Sequence, residues 1–233
     1  AHLCVSQRLS VDKLRPFADA IDEYTYTDIS KSFLMHAEEH FAAAAPYLRC
    51  RLFNVEQPLH GQSIGTGSYD YAIATNVLHA TRNIRTTLRN AKAALRHGGL
   101  LLVNETDGFS LYTHLTFGLL EGWWLFEDEA LRIPGTPALA PAAWRRVLEA
   151  EGFDSVHFPA ESAHALGQQV VIARSDGLVA QAVAAPRPQA PPAPVAAPAP
   201  AARAAALAPK PAPKQAAVAP PRQQIDRAAQ EAF

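Results

Sequence analysis

The sequence predicts an α/β fold built on a mostly parallel sheet. Three observations carry that prediction. Short apolar runs alternate with stretches of helical period. The runs are apolar on both faces instead of alternating. Each run ends on a polar residue. Strands that are hydrophobic on both sides need helices covering both faces of their sheet, and such sheets bind ligands beyond the carboxyl ends of their strands.

Taken in order, residues 23–28 (E-Y-T-Y-T-D) carry the strand formers Tyr and Thr and close on an acid. In I-S-K-S-F-L-M-H-A-E-E-H-F-A-A-A, Phe33, Leu34, Ala37 and Phe41 recur at helical spacing, which predicts a helix. R-C-R-L-F-N-V predicts a short strand, and Y-D-Y-A-I-A-T-N a nearly continuous apolar one. N-I-R-T-T-L-R-N-A-K-A-A-L-R predicts a helix closed by Gly98 and Gly99, and L-L-L-V-N-E the strand that follows. The aromatic stretch F-S-L-Y-T-H-L-T-F-G-L-L-E-G-W-W-L-F-E-D is too long for a tight loop and too interrupted by glycine for one helix. It is read as a cap or wall. L-A-P-A-A-W-R-R-V-L-E-A-E-G-F has proline in a first turn and a glycine stop, the asymmetry of a helix. F-D-S-V-H-F and Q-Q-V-V-I-A-R predict two closing strands, antiparallel to each other.

Composition divides the 233 residues. Beyond residue 177 alanine and proline dominate, with twelve of the 19 prolines there, so residues 178–222 are read as a disordered, partly stiff linker unable to bury enough surface to offset its ordering entropy. Residues 223–233, ending Q-I-D-R-A-A-Q-E-A-F, look like the start of a following helix or domain, and Ala1 stands where an initiator Met would. A piece of a longer polypeptide is therefore expected. Six of the 21 basic and two of the 22 acidic residues lie in the tail, leaving the rest near −5 with no basic stripe, which excludes nucleic acid as a partner. No apolar run approaches a membrane span and no signal peptide opens the chain, so no membrane partner is expected. Cys4 and Cys50 have no metal-ligand spacing and, as a default, point to a reduced, cytoplasmic chain. His36 and His40 in H-A-E-E-H lack a third ligand, and no metal is expected.

The predicted strand ends supply the candidate site: Asp28, Asn54, Asn76 with His79 just beyond, and Glu105. An acid at such a position can accept both hydroxyls of a ribose, although D-I-S also makes a good helix cap. Asn54 can hold a purine edge with its amide. Imidazole takes a proton near neutral pH without special tuning, and works best when a carboxylate fixes its tautomer. Glu105 lies 26 residues after His79, one helix and one strand on, so neighbouring strands bring the two to one edge. On spacing alone, His79 as base with Glu105 as its partner stands beside His79 as a helix cap and Glu105 as an exposed loop residue.

The segments Y-T-Y-T-D-I-S-K-S-F-L, Y-D-Y-A-I-A-T-N-V-L-H-A-T, T-L-R-N-A-K-A-A-L, L-L-V-N-E, T-F-G-L-L-E-G-W-W-L-F-E-D and G-Q-Q-V-V-I-A together resemble the C-methyltransferase domains of modular, especially bacterial, polyketide synthases. The likeness covers about residues 22–177, and residues 23–177 are accordingly expected to form a class I, Rossmann-like methyltransferase domain. The resemblance implies transfer of a methyl group from S-adenosylmethionine to the α-carbon of a β-ketoacyl chain held by phosphopantetheine on an acyl carrier protein. It implies His79 as base, Glu105 as its partner, and Asp28 at the ribose. Asn54 and Asn76 complete the cofactor side, Asn54 standing where relatives often have Asp. Phe117, Trp123 and Trp124 would wall the acyl pocket, and the tail would tether the domain to neighbouring synthase domains. An O-methyltransferase and a non-catalytic structural remnant are the competing expectations.

One departure stands out. Such domains open with a strand and a glycine-rich loop of the type E-x-G-x-G-T-G, whereas residues 1–22 contain no glycine. A side chain hinders the close backbone approach that glycine allows. The expectation is an atypical N-terminal segment, a sheet lacking its first, central strand, and weak cofactor binding.

Overall fold

The computed structural model describes residues 2–6, 14–108 and 110–180. The 223–233 segment and nearly all of the 178–222 linker lie outside these residues. Seven strands form one sheet: β1 (His2–Ser6), β2 (Tyr24–Asp28), β3 (Leu48–Leu52), β4 (Tyr69–Thr75), β5 (Leu95–Thr106), β6 (Phe153–His157) and β7 (Gln168–Ser175). Their spatial order is β3-β2-β1-β4-β5-β7-β6. β1 to β5 run parallel, and β7 is antiparallel to both β5 and β6. The four principal helices are α1 (Lys31–Phe41), α2 (Ile84–Ala94), α3 (Leu111–Thr116) and α4 (Pro141–Ala150).

The expected gap at the centre of the sheet is not there. H-L-C-V-S forms β1, with Leu3 opposite Thr25 on one side and Ala72 on the other. The sheet is complete because strand pairing needs an extended backbone between two open edges, and the glycine loop that usually announces this strand plays no part in the pairing. The glycine-free residues 7–13 after β1 lie outside the described residues. The same register places Cys4 and Cys50 on either side of Tyr26. That is two strand spacings, about 10 Å, and too far for a disulfide.

Side chains alternate across the strands and divide the core in two. Ala72 and Ala74 of β4 join Leu101 and Val103 of β5, Leu88 of α2 and Trp144 and Leu148 of α4. Ile73 packs with Tyr24, Tyr26, Leu34 and Ala37 on the other face. Lys92, 1% exposed, pins α2 to the turn after α4 by donating from Nζ to the carbonyls of Glu151 (2.6 Å) and Gly152 (2.9 Å). Arg89 binds the Glu151 carboxylate in a bidentate fork. Among the described residues no helix is long and apolar enough to cross a membrane.

Candidate active site

Because β1 to β5 are parallel, their carboxyl ends share one edge. Asp28 ends β2, Asn54 follows β3, Asn76 and His79 follow β4, and Glu105 is the penultimate residue of β5. All five strand-end candidates therefore come to a common rim, with β1 lying between the strands that carry Asp28 and His79.

The turn after β4 is built by Asn76. Its φ of +50° is left-handed, a region that asparagine tolerates better than most residues, and its N–H donates to the Asn104 carbonyl at 2.8 Å. The chain then doubles back so that the N–H groups of Val77 (3.0 Å) and Leu78 (2.7 Å) both reach Glu105 Oε1. A 3-10 turn, Leu78–Ala80, carries His79, whose Nδ1 bonds Glu105 Oε2. Both side chains are buried, Glu105 completely. The carboxylate is thus held at both oxygens, and it leaves Nε2 as the nitrogen with no partner among the described residues.

The aromatic stretch lies over this turn. Trp123, 7% exposed, meets the His79 ring edge-on with centroids 5.5 Å apart, and Phe117 stacks on Trp123 at 5.9 Å. Trp123 Nε1 is buried and has no hydrogen-bond partner among the described residues. Trp124 sits further out, half-exposed, with its indole N–H donating to the Gly118 carbonyl and its ring against His114. At the end of β2, Asp28 Oδ1 accepts from Ser30 N–H at 2.8 Å in a local turn ahead of α1, and Oδ2 takes no bond from a described residue. Asn54 Oδ1 is used locally, accepting from Glu56 N–H at 2.9 Å, while its backbone N–H donates to Gln62 Oε1.

Three contributors escape a reading of the sequence. Arg132 is buried and donates to the His79 and Thr81 carbonyls. Asp128 binds Arg132 Nε and accepts the Ile84 N–H at the start of α2. Gln169, directly opposite Glu105 in the sheet, donates from Nε2 to the Thr106 and Leu139 carbonyls. The only trace in the sequence is the four-residue spacing of Asp128 and Arg132, which reads equally well as a solvated helical pair.

Residues 12–101 match the family described as a methyltransferase domain. The polyketide synthase PksM of Bacillus subtilis (strain 168) is 57% identical over 168 residues, which are 72% of this chain and 4% of PksM. Among solved structures, the DszA carbon methyltransferase superposes with a TM-score of 0.68 at 34% identity, covering 73% of this chain and 44% of the other. The trans-methyltransferase CalH, solved in complex with SAH, superposes with a TM-score of 0.57 at 33% identity, covering 66% and 42%. The fold is that of a class I, Rossmann-like methyltransferase domain. Within that class, the homologues of this chain are polyketide synthases and its structural neighbours are carbon methyltransferase domains. The chain spans less than a tenth of the length of the synthases it matches.

Proposed function

We propose that this chain methylates the α-carbon of a β-ketoacyl chain carried by phosphopantetheine on an acyl carrier protein, with S-adenosylmethionine as donor. The observation that carries the reading is the buried His79–Glu105 pair at the carboxyl edge of a methyltransferase sheet, with Trp123 against the imidazole. A proton between a ketone and a thioester is acidic for carbon, and an imidazole held in one tautomer suffices to remove it. His79 Nε2 takes that proton as the C–H bond breaks. Glu105 holds Nδ1–H and stabilises the imidazolium that results. When bound, S-adenosylmethionine would supply the electrophilic methyl on sulfonium sulfur, passing it to the enolate carbon and leaving as the thioether.

The chain's residues fit that donor. The Asp28 oxygen that has no partner among the described residues suits ribose hydroxyls, and Asp28 stands about 10 Å, two strand spacings, from the strand leading to His79. Asn54 and Asn76 line the same rim. Trp123 and Phe117 wall the acyl side, with Trp124 at its outer margin, and the Trp123 N–H is a donor that an acyl carbonyl can use. Neighbouring synthase domains would deliver the carrier protein.

The glycine-free stretch after β1 favours a second reading, a methyltransferase fold that no longer turns over. One experiment separates the two. The chain is incubated with labelled S-adenosylmethionine and a β-ketoacyl thioester, and the product's labelled carbon is located by mass spectrometry. Methylation at the α-carbon, lost in His79→Ala, is the expected result. Label on oxygen would point instead to an O-methyltransferase, and no transfer by the intact chain would favour the non-catalytic reading.

A further inference from the structure

We propose that Arg132 is a positioning residue that sets where the His79 imidazole stands; this rests on the reading of His79 as the base. The turn Leu78–Ala80 is a single 3-10 turn without a side-chain cap. Such a turn leaves carbonyls without backbone partners, and a buried carbonyl left unpaired is costly. Arg132 supplies the missing donors. Nη1 donates to the His79 carbonyl and the Pro137 carbonyl, both at 2.8 Å, and Nη2 donates to the Thr81 carbonyl at 3.0 Å. The guanidinium thus grips the turn at the base itself and two residues beyond.

Its own charge is answered by Asp128, whose Oδ1 accepts from Nε at 2.6 Å and whose Oδ2 accepts the Ile84 N–H at 2.7 Å. Arg132 is 6% exposed, and its guanidinium also lies 5.7 Å from the centre of the Phe126 ring. The turn, the start of α2 and the segment following the aromatic wall are tied through one planar fork. Glu105 fixes the ring at Nδ1, and Arg132 fixes the backbone from which the ring hangs. His79 cannot rotate about its own turn without breaking bonds at both ends.

A purely structural role accounts poorly for this arrangement. A buried ion pair is often no more stabilising than well-packed apolar residues in its place. Geometry, by contrast, needs this side chain, because lysine offers a point charge where arginine offers donors in a fixed plane.

The test uses the intact chain and three variants: Arg132→Lys, the paired Arg132→Met with Asp128→Asn, and Lys92→Met. The last removes an equally buried cation whose bonds go to Glu151, Gly152 and Asp176, away from the His79 turn. Two readouts are taken on each. One is the low-field proton resonance of the His79–Glu105 hydrogen bond, identified by its disappearance in His79→Gln. The other is steady-state methyl transfer. Both Arg132 variants are expected to melt cooperatively, to shift or broaden that resonance, and to lose about 100-fold in kcat with KM changed by less than about threefold, the signature of a misplaced reacting group. Lys92→Met is expected to lower the melting temperature and leave the resonance in place. An unmoved resonance with kcat within about threefold of the parent in the Arg132 variants overturns the proposal, as does an equal shift in Lys92→Met. If the parent chain transfers no methyl group, the proposed function fails by that result, and the resonance alone decides the role of Arg132.

Discussion

Glu105 gives one carboxylate oxygen to Nδ1 of His79 and the other to the N–H groups of Val77 and Leu78, so one side chain orients both the imidazole and the turn that bears it. Substitution by glutamine keeps the size and one acceptor but turns an amide N–H toward Nδ1. Nδ1 must then accept, which moves the ring proton to Nε2 and blocks the position that a base needs. Glu105→Gln is expected to lower kcat by roughly 10²- to 10⁴-fold while the fold persists. Steady-state methyl transfer alongside a melting curve checks this; turnover close to the parent's would remove Glu105 from the mechanism.

Asp28 is expected to hold the donor's ribose. Charged hydrogen bonds contribute about 1.5–3 kcal/mol, so Asp28→Ala should weaken S-adenosylmethionine by roughly 10- to 100-fold in titration calorimetry. An unchanged affinity would place the ribose elsewhere.

At position 76 the constraint is backbone conformation. Glycine adopts a φ of +50° freely, whereas a β-branched side chain there is strained by about 1–2 kcal/mol. Asn76→Val should therefore be destabilised by about that amount and Asn76→Gly by much less. Chemical denaturation of the two variants measures the contrast, and equal stabilities would mean that the turn relaxes.

The pair Lys92–Asp176, at 2.5 Å, makes stability depend on acid. Burial pushes the Asp176 carboxyl up, but the Lys92 ammonium and the Leu178 N–H more than offset it, leaving it below the ordinary carboxylate range. A depressed carboxyl stabilises the fold above its unfolded pKa of about 3.9, and that contribution fades as pH falls through the folded value. Asp176 is partly exposed, so solvent holds the effect below about 1 kcal/mol. The parent should exceed Asp176→Asn in urea midpoint at pH 6, with the gap closing toward pH 3. A gap that does not change with pH would contradict the linkage.

The sheet and the meeting of His79 with Glu105 were legible because both depend on pattern. Apolar runs with polar ends predict parallel strands, and parallel strands bring His79 and Glu105 together across 26 residues. β1 was not legible. Five residues without a glycine loop behind them carry little signal, and their place is fixed by the two strands that flank them. Arg132 was hidden for a different reason: three of its four hydrogen bonds among the described residues go to main-chain carbonyls, which every residue possesses and no sequence pattern marks. Asn54 was found at its predicted rim, but its amide oxygen is already engaged with Glu56, a local turn that competes with the purine contact expected of it.

The reversed direction of β7 has a consequence for traffic through the domain. Its pairing carries the chain from Thr106, beside the site, back to Leu100, six residues down β5. At about 3.3 Å per residue, that leaves Ser175 roughly 20 Å from the rim that carries His79, on the opposite edge of the sheet. Anything fastened to the carboxyl side of this domain starts from the wrong end. A polyproline strand at about 3.1 Å per residue needs some six or seven residues merely to draw level with His79. The length of such a leash, as much as any affinity, would govern how often its cargo reaches His79.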